Sequence, residues 1–337
     1  MCHKIFEELS TALHWILINK FHVRACVHIL DDFLFIDHNQ LSSHHSLKCW
    51  FMMTKDIGIP VSMEKTTQPN QVCIFAGIEL CSVTMVAKLP VDKLRRYGQL
   101  VNDVKSKRKI TLLSMQQIVG CLQFATSVVT PGRAFLRRLI DQTVGVKRPF
   151  HFVTINASAK ADLNMWQDFL LNHNGKTFIS EQGEQDSTSL HLYTDASSRA
   201  CAAVFGRHWF VIPFPDPWKR KNIAFLELFP IVVALKVYGP LIANSKICFH
   251  TDNEAISVII NKQTSKDKEI MSLVRPLVMT CLSHNIRFRS RHIPGKLNIL
   301  PDSLSRLQVS ERLLQQYGMR STATPIPDHL LPENWTT

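Results

Sequence analysis

Nowhere in these 337 residues do two cysteines stand as a C-x-x-C pair, although there are nine. Their odd number and scatter exclude a disulfide framework and a zinc knuckle. They point instead to reduced, mostly buried thiols in the cytoplasm or nucleus. The pair His44-His45 lacks a Cys or carboxylate partner at ligand spacing, so metal chemistry is not expected there. The stretch MCHKIFEELSTALHWIL is not expected to be a signal peptide, because it mixes its charges and lacks a small-residue cleavage site. The most membrane-like stretch, Phe225–Ala243, is broken by Glu227, Pro230, Lys236 and Pro240. Charges at such depth in a bilayer are costly, so it reads as a buried helix and no membrane partner is expected.

Acids are the minority charge: 27 Asp and Glu against 39 Lys and Arg, a formal net charge of +12. The first 150 residues hold 19 basic and 11 acidic side chains, the rest 20 and 16. A basic surface favours a polyanion, and nucleic acid is the commonest. Charge alone does not separate that reading from a solvated surface without a partner. With 45% hydrophobic and 20% charged residues, the chain is globular and long enough for two domains. There are no internal repeats, and nothing points to a protein partner.

Apolar residues at helical spacing, Ile5, Phe6, Leu9, Leu13, Ile16 and Leu17, predict a helix over 3–20. The run VHIL-DD-FLFI predicts a β-hairpin with Asp31 and Asp32 at its tip. A helix over 41–56 ends at Gly58 and Pro60. A strand is expected over 72–80, then helices over 91–107, 112–129 and 132–142, the last two parted by Pro131-Gly132. An amphipathic helix over 158–172 has Ser158 as its N-cap. The polar stretch 174–189 reads as a domain boundary.

Beyond it the pattern changes. HLYTDA, CAAVFG and HWFVIP read as three strands. A helix over 223–238, the strand KICFHTD, helices from Asn253 and over 267–284, the strand IRFRSRH and a helix over 300–308 follow. That order predicts an α/β (α+β) fold, a mixed sheet with helices packed on it. The tail after Gln316, with Pro325, Pro327 and Pro332, is expected to be extended and poorly ordered.

Four acids stand out by context. Asp195 and Asp252 end apolar strands, Glu227 lies in an apolar helix, and Asp302 opens the last helix. Singly, each has an ordinary reading as a turn former or cap. Together, carboxylates in apolar surroundings without evident Lys or Arg partners suggest hard divalent cations such as Mg²⁺.

TDAS at 194–197, ELF from 227, TDN at 251–253, and HIPGKLN followed by PDSLSR resemble the ribonuclease H family. The acids follow the order D, E, D, D at separations of 32, 25 and 50 residues, and His292 stands ten residues before Asp302. The resemblance implies a five-stranded mixed sheet with helices and cleavage of the RNA strand of an RNA–DNA hybrid. It implies two Mg²⁺ or Mn²⁺ ions held by Asp195, Glu227, Asp252 and Asp302. Such ions activate a water and stabilise the leaving 3′-oxygen. It gives His292 a part in proton transfer or product release, and it makes Asn253 and Asn298 candidates for nucleic-acid contact.

In the first half, HILDDF at 28–33 resembles the second catalytic motif of a reverse transcriptase palm. That resemblance makes Asp31 and Asp32 metal ligands; the alternative is a simple Asp-Asp turn. The segments KLPVDKLRRYGQLVNDV, TLLSMQQIVGCLQFATSVVTPGRAFLRRL and KADLNMWQDFL resemble the thumb and connection of tyrosine-recombinase retrotransposons of the DIRS and Ngaro type. On those helices Lys93, Arg95, Arg96, Arg133, Arg137 and Arg138 are candidate phosphate contacts; solvated helix faces are the alternative. Ile29 stands where many relatives have Tyr. Only thirty residues precede Asp31, and none supplies the upstream palm Asp.

The expected organisation is a partial palm over 1–88, a helical thumb and connection over 89–175, a linker over 176–187, a nuclease domain over 188–310 and a tail over 311–337. The expected function is metal-dependent hydrolysis of RNA in hybrids by a truncated retrotransposon polyprotein, with polymerase activity lost. The alternatives are a non-catalytic nucleic-acid-binding remnant and a polymerase completed by missing upstream sequence.

Overall fold

The computed structural model describes residues 2–177 and 190–335. Packing divides the chain into two units, Met1–Arg96 with His173–Ser180, and Tyr97–Asn172 with Glu181–Thr337. Residues 178–187 of the expected linker lie outside the described residues.

In the first unit, α1 (Cys2–Asn19) turns Leu13 and Leu17 onto Val23, Cys26, Cys49 and Met53. Strands β1 (Cys26–Ile29) and β2 (Asp32–Phe35) form the expected hairpin. Its register pairs Ile29 with Asp32, so the connecting residues are Leu30 and Asp31, and Asp32 already belongs to the returning strand. Helix α2 (Gln40–Asp56) is capped by Asn39, whose side chain accepts from Ser42 N. The stretch expected as one strand folds back on itself. β3 (Val72–Phe75) and β4 (Ile78–Cys81) pair antiparallel around Ala76 (φ 48°) and Gly77 (φ 75°). Two successive residues with positive φ match the twist of a two-residue hairpin, and Gly77 is the residue that signals it. β5 (Val86–Lys88) adds to β4, and the chain leaves through α3 (Val91–Ser106).

The second unit takes up α3 from Tyr97. β6 (Lys109–Thr111) leads into α4 (Leu112–Ala125), capped by Thr111. The helix expected over 132–142 is broken. A 3-10 turn covers Thr130–Phe135, with Pro131 in its first turn, where no N–H is needed, and only then does α5 (Arg137–Asp141) begin. β7 (Phe152–Thr154) pairs with β6. In α6 (Ala157–Asn172) the cap is Asn156, whose Oδ1 accepts from Ala159 N at 2.8 Å; the expected cap Ser158 already lies inside the helix. Asp162 on α6 is buried between Arg138 (3.0 Å) and Arg275 (3.4 Å). Burial pushes its carboxyl up to about 6 against the pull of both arginines. β8 (Lys176–Thr177) returns to the first unit and pairs with β5, where a linker was expected.

The core of the second unit is the expected five-stranded mixed sheet, in the order β11-β10-β9-β12-β13. β9 (Leu190–Ala196), β10 (Ala200–Phe205) and β11 (His208–Pro213) meander antiparallel. Helix α7 (Ile223–Tyr238), capped by Asn222, follows. β12 (Lys246–Thr251) then lies parallel to β9. α8 (Glu254–Lys262) and α9 (Lys268–Ser283) lead to β13 (Arg287–His292), parallel to β12. α10 (Ile299–Ser305) and α11 (Glu311–Gln316) close the fold.

The stretch Ile223–Ile242 is long and apolar enough to cross a membrane, but 78% of its apolar window is buried inside the protein. A helix apolar all round is covered on all sides, here by the sheet and by α9. The tail is short on regular structure but docked. Thr324 N donates to Trp209 O, Trp209 Nε1 donates to Arg320 O, and Trp335 packs edge-on to Phe229 at 5.0 Å. Indole and backbone partners hold it, a gain that its prolines did not disclose.

Candidate metal centre

Parallel pairing of β9 with β12 brings two strand ends of the same polarity side by side, the usual place for a site in such sheets. Asp195 stands near the end of β9, and Asp252 follows the last residue of β12. Glu227 comes from the second turn of α7, which packs across β9 and β10. Carboxylate oxygens of Asp195, Glu227 and Asp252 lie within 4.8 Å of one another. Three residues spread along 58 positions thus become one cluster.

The cluster is costly as it stands. Glu227 is 6% exposed, and its Oε2 is buried without a hydrogen-bond partner. Burial, with the charges of Asp195 and Asp252, pushes the Glu227 carboxyl up to about 9, despite a hydrogen bond from Ala196 N–H. Asp195, 4% exposed, is pushed up to about 6, mainly by burial. The hydroxyl of Ser305 opposes that shift, donating to Asp195 Oδ2 at 2.5 Å, while Asp252 and Asp302 add to it. Crowded, buried carboxylates with an orphaned oxygen are a donor set that suits a hard divalent cation. Gly295 closes one side: a Cβ there would sit 3.2 Å from Asp252 Oδ2.

Asp302 lies outside the group of three. It sits on α10 and is held by Arg306, whose guanidinium donates to Oδ1 at 2.8 Å. His292 ends β13 exposed, its Nε2 3.1 Å from the backbone oxygen of Asp252. Asn298 is fully buried and donates Nδ2 to Thr194 O at 2.9 Å. From there it braces β9 beside Asp195 and offers no surface for the nucleic-acid contact expected of it. Asn253 caps α8, accepting from Ile256 N at 3.3 Å.

Asp31, Asp32, Lys93, Arg95 and Arg96 belong to the first unit, and Arg133, Arg137 and Arg138 to the second. Asp31 and Asp32 are exposed at the β1–β2 turn. Among the described residues, neither group of three close ligating side chains includes them. Lys93 Nζ donates to Gly77 O at 3.0 Å, whereas Arg95 and Arg96 are exposed. Arg133 is half-buried in the 3-10 turn. Arg137 pairs with Asp141 at 2.6 Å and Arg138 with Asp162, so both serve the packing of their own unit.

Two features were missed in the sequence. Ser305 had a signal, the second serine of PDSLSR one helical turn after Asp302. Cys49 stands four residues after His45, and its Sγ lies 3.5 Å from His45 Nε2, so that histidine does have a thiol neighbour.

No family model matches the chain, and no curated protein matches it. Among solved structures it is similar to a foamy viral protease-reverse transcriptase in complex with double-stranded DNA. The TM-score is 0.44 and the identity 15%, over 85% of this chain and 49% of that one. A second foamy viral structure, in complex with an RNA/DNA hybrid, gives 0.43 and 15% over 84% of this chain and 37% of that one. RNase H1 from the halophilic archaeon Halobacterium salinarum NRC-1 gives 0.30 and 15%, over 36% of this chain and 96% of that one. The chain therefore spans about half the length, or less, of these two foamy viral chains.

Proposed function

We propose that this chain is a divalent-metal-dependent nuclease that hydrolyses the RNA strand of an RNA–DNA hybrid. We further propose that it belongs to a retrotransposon polyprotein of the DIRS or Ngaro type. The observation that carries the first reading is the convergence of Asp195, Glu227 and Asp252 within 4.8 Å at the ends of β9 and β12. The motifs TDAS, TDN, HIPGKLN and PDSLSR, in that order, support both readings.

Asp195, Glu227 and Asp252 would hold Mg²⁺ or Mn²⁺ ions, two of them, with Asp302 at the rim. Bound there, the ions supply an activated water and stabilisation of the departing 3′-oxygen. The chain does the rest. Ser305 and the Ala196 N–H fix the two buried carboxylates, so little reorganisation is left for the reaction. Asp302, now paired with Arg306, would be the fourth carboxylate available to the ions. His292, exposed and tethered through Nε2, keeps Nδ1 for moving a proton at the mouth of the site. Lys93, Arg95, Arg96 and Arg133 are assigned to phosphates, positioning the duplex without reading its sequence. The soluble chain would work in cytoplasm or nucleus.

The test is cutting of end-labelled RNA in a hybrid by the purified chain with Mg²⁺ or Mn²⁺. Cleavage that Asp252→Asn abolishes is expected. A folded chain that binds hybrid but fails to cut it with either metal would leave only the binding-remnant reading.

A further inference from the structure

A second cluster of ligating side chains lies on the same sheet, and it contains no carboxylate. In the parallel pairing of β9 and β12, Cys248 is in register with His191, and His250 with Tyr193. Side chains alternate along a strand, so Cys248 and His250 share one face, and the pairing puts His191 on it too. One donor atom from each of His191, Cys248 and His250 lies within 4.8 Å of the others. His191 Nδ1 and His250 Nε2 are 2.9 Å apart.

The histidine pair is not satisfied by that one contact. His250 is 7% exposed, and its second ring nitrogen, Nδ1, is buried without a hydrogen-bond partner. Its ring cannot swing out to solvent, because Tyr193 stacks on it at 4.4 Å and 13°. Cys248 is fully buried, whereas His191 is half-buried and marks the open side.

We propose that His191, Cys248 and His250 form a second metal site, for a borderline cation of the Zn²⁺ class. Two imidazoles and a thiolate match that class, and Mg²⁺ is rejected because no oxygen ligand is supplied. With bonds of about 2.0–2.1 Å to nitrogen and about 2.3 Å to sulfur, closing the trio on one ion needs movements of about 1 Å. A water entering beside His191 completes the tetrahedron. Arg289 and Arg291 on β13, in register with Cys248 and His250, add positive charge nearby, which the thiolate offsets. The site stands on residues separate from the acid cluster, so it does not depend on the nuclease reading.

Metal-free full-length chain is titrated with Co²⁺ and followed by absorption. The expected result is a sulfur-to-cobalt charge-transfer band whose final amplitude corresponds to one thiolate-bound Co²⁺ per chain, bleached by Zn²⁺ but not by Mg²⁺ added to fill the acid cluster. Cys248→Ser should lose the band. Asp252→Asn and Cys121→Ser should keep it. Serine in a buried position can unsettle the sheet, so the half-buried ligand supplies a second variant: His191→Ala, checked for fold by circular dichroism, should weaken Co²⁺ binding by at least the roughly 10–100-fold that losing a mere outer-shell partner costs. No band from folded chain, a band that survives Cys248→Ser, unchanged affinity in folded His191→Ala, or bleaching by Mg²⁺ would each overturn the proposal and leave a hydrogen-bonded histidine pair.

Discussion

Ser305 donates its hydroxyl to Asp195 at 2.5 Å across 110 positions of sequence. The same hydroxyl lies 2.9 Å from Asp302 O, and the Ser305 carbonyl accepts from Ser197 Oγ at 2.8 Å. One serine on α10 therefore sets the orientation of a carboxylate on β9. Ser305→Ala should leave the fold intact and lower hybrid cutting, through weaker Mg²⁺ binding, by roughly 10–100-fold. Steady-state cleavage at rising Mg²⁺ reads the effect. A Ser305→Ala chain with an unshifted Mg²⁺ dependence would show that the hydroxyl does no positioning.

The two acidic sites should respond oppositely. Asp252→Asn keeps the shape and removes a charge from the cluster, so cutting should fall by orders of magnitude. Asp31→Asn with Asp32→Asn should leave cutting almost unchanged, since those acids sit on the β1–β2 turn. Neither the parent chain nor either variant should extend a primer unaided, and gel assays on labelled primer and labelled RNA separate the two activities.

Glu227 and Asp195 tie stability to pH. Both carboxyls are raised in the folded protein, Glu227 to about 9 and Asp195 to about 6. Their contribution is fully present below the unfolded values near 4 and is lost as pH rises through the folded ones. Without metal, the chain should lose stability between about pH 4 and pH 9. Mg²⁺, by binding the ionised forms, should recover more at pH 8 than at pH 6. Thermal melts with and without metal measure this. Glu227→Gln should flatten the upper part of the slope.

Asp162 links α6 to α9 and α5 through Arg275 and Arg138. Removing it strands Arg275, whose side chain is only 12% exposed. Asp162→Ala should cost about 3–5 kcal/mol, the usual penalty for halving a buried ion pair. Urea unfolding, with the slope compared to the parent, gives the number.

Hybrid affinity should fall steeply with salt, because binding at phosphates releases counterions. Neutralising Arg95 and Arg96 should reduce the salt slope by about one for each phosphate no longer held. Arg138→Ala should instead act on stability, since that guanidinium is engaged by Asp162. Fluorescence anisotropy on a labelled hybrid at several salt concentrations distinguishes the two outcomes.

Much of the second unit was legible in the sequence because its elements carry their own patterns. TDAS, TDN and PDSLSR sit at strand ends and a helix start where alternation and capping place them. Positions that depend on a turn or on packing were less legible. VCIFAGIEL reads as one apolar strand until Ala76 and Gly77 both take positive φ and reverse the chain. Asn298 reads as a surface loop residue, yet it is buried beneath β9. Arg138 reads as a free cation because its partner Asp162 stands 24 residues on in another helix, whereas the i,i+4 spacing of Arg137 and Asp141 was a local sign of pairing that went unread.

The sequence by itself determined the order of the strands and helices from β9 to α10, the identity of the four acids and the basic balance, since these follow from local alternation, residue type and composition. Only the tertiary structure decided that three of the acids crowd within 4.8 Å while Asp302 stays with Arg306. It also decided that Ser305 orients Asp195 and that His191 meets Cys248 and His250 across the β9–β12 seam. The physical reason is range. Periodicity and capping act within one element, whereas the distance between two carboxylates is set by sheet order and register, which join residues that no local pattern connects.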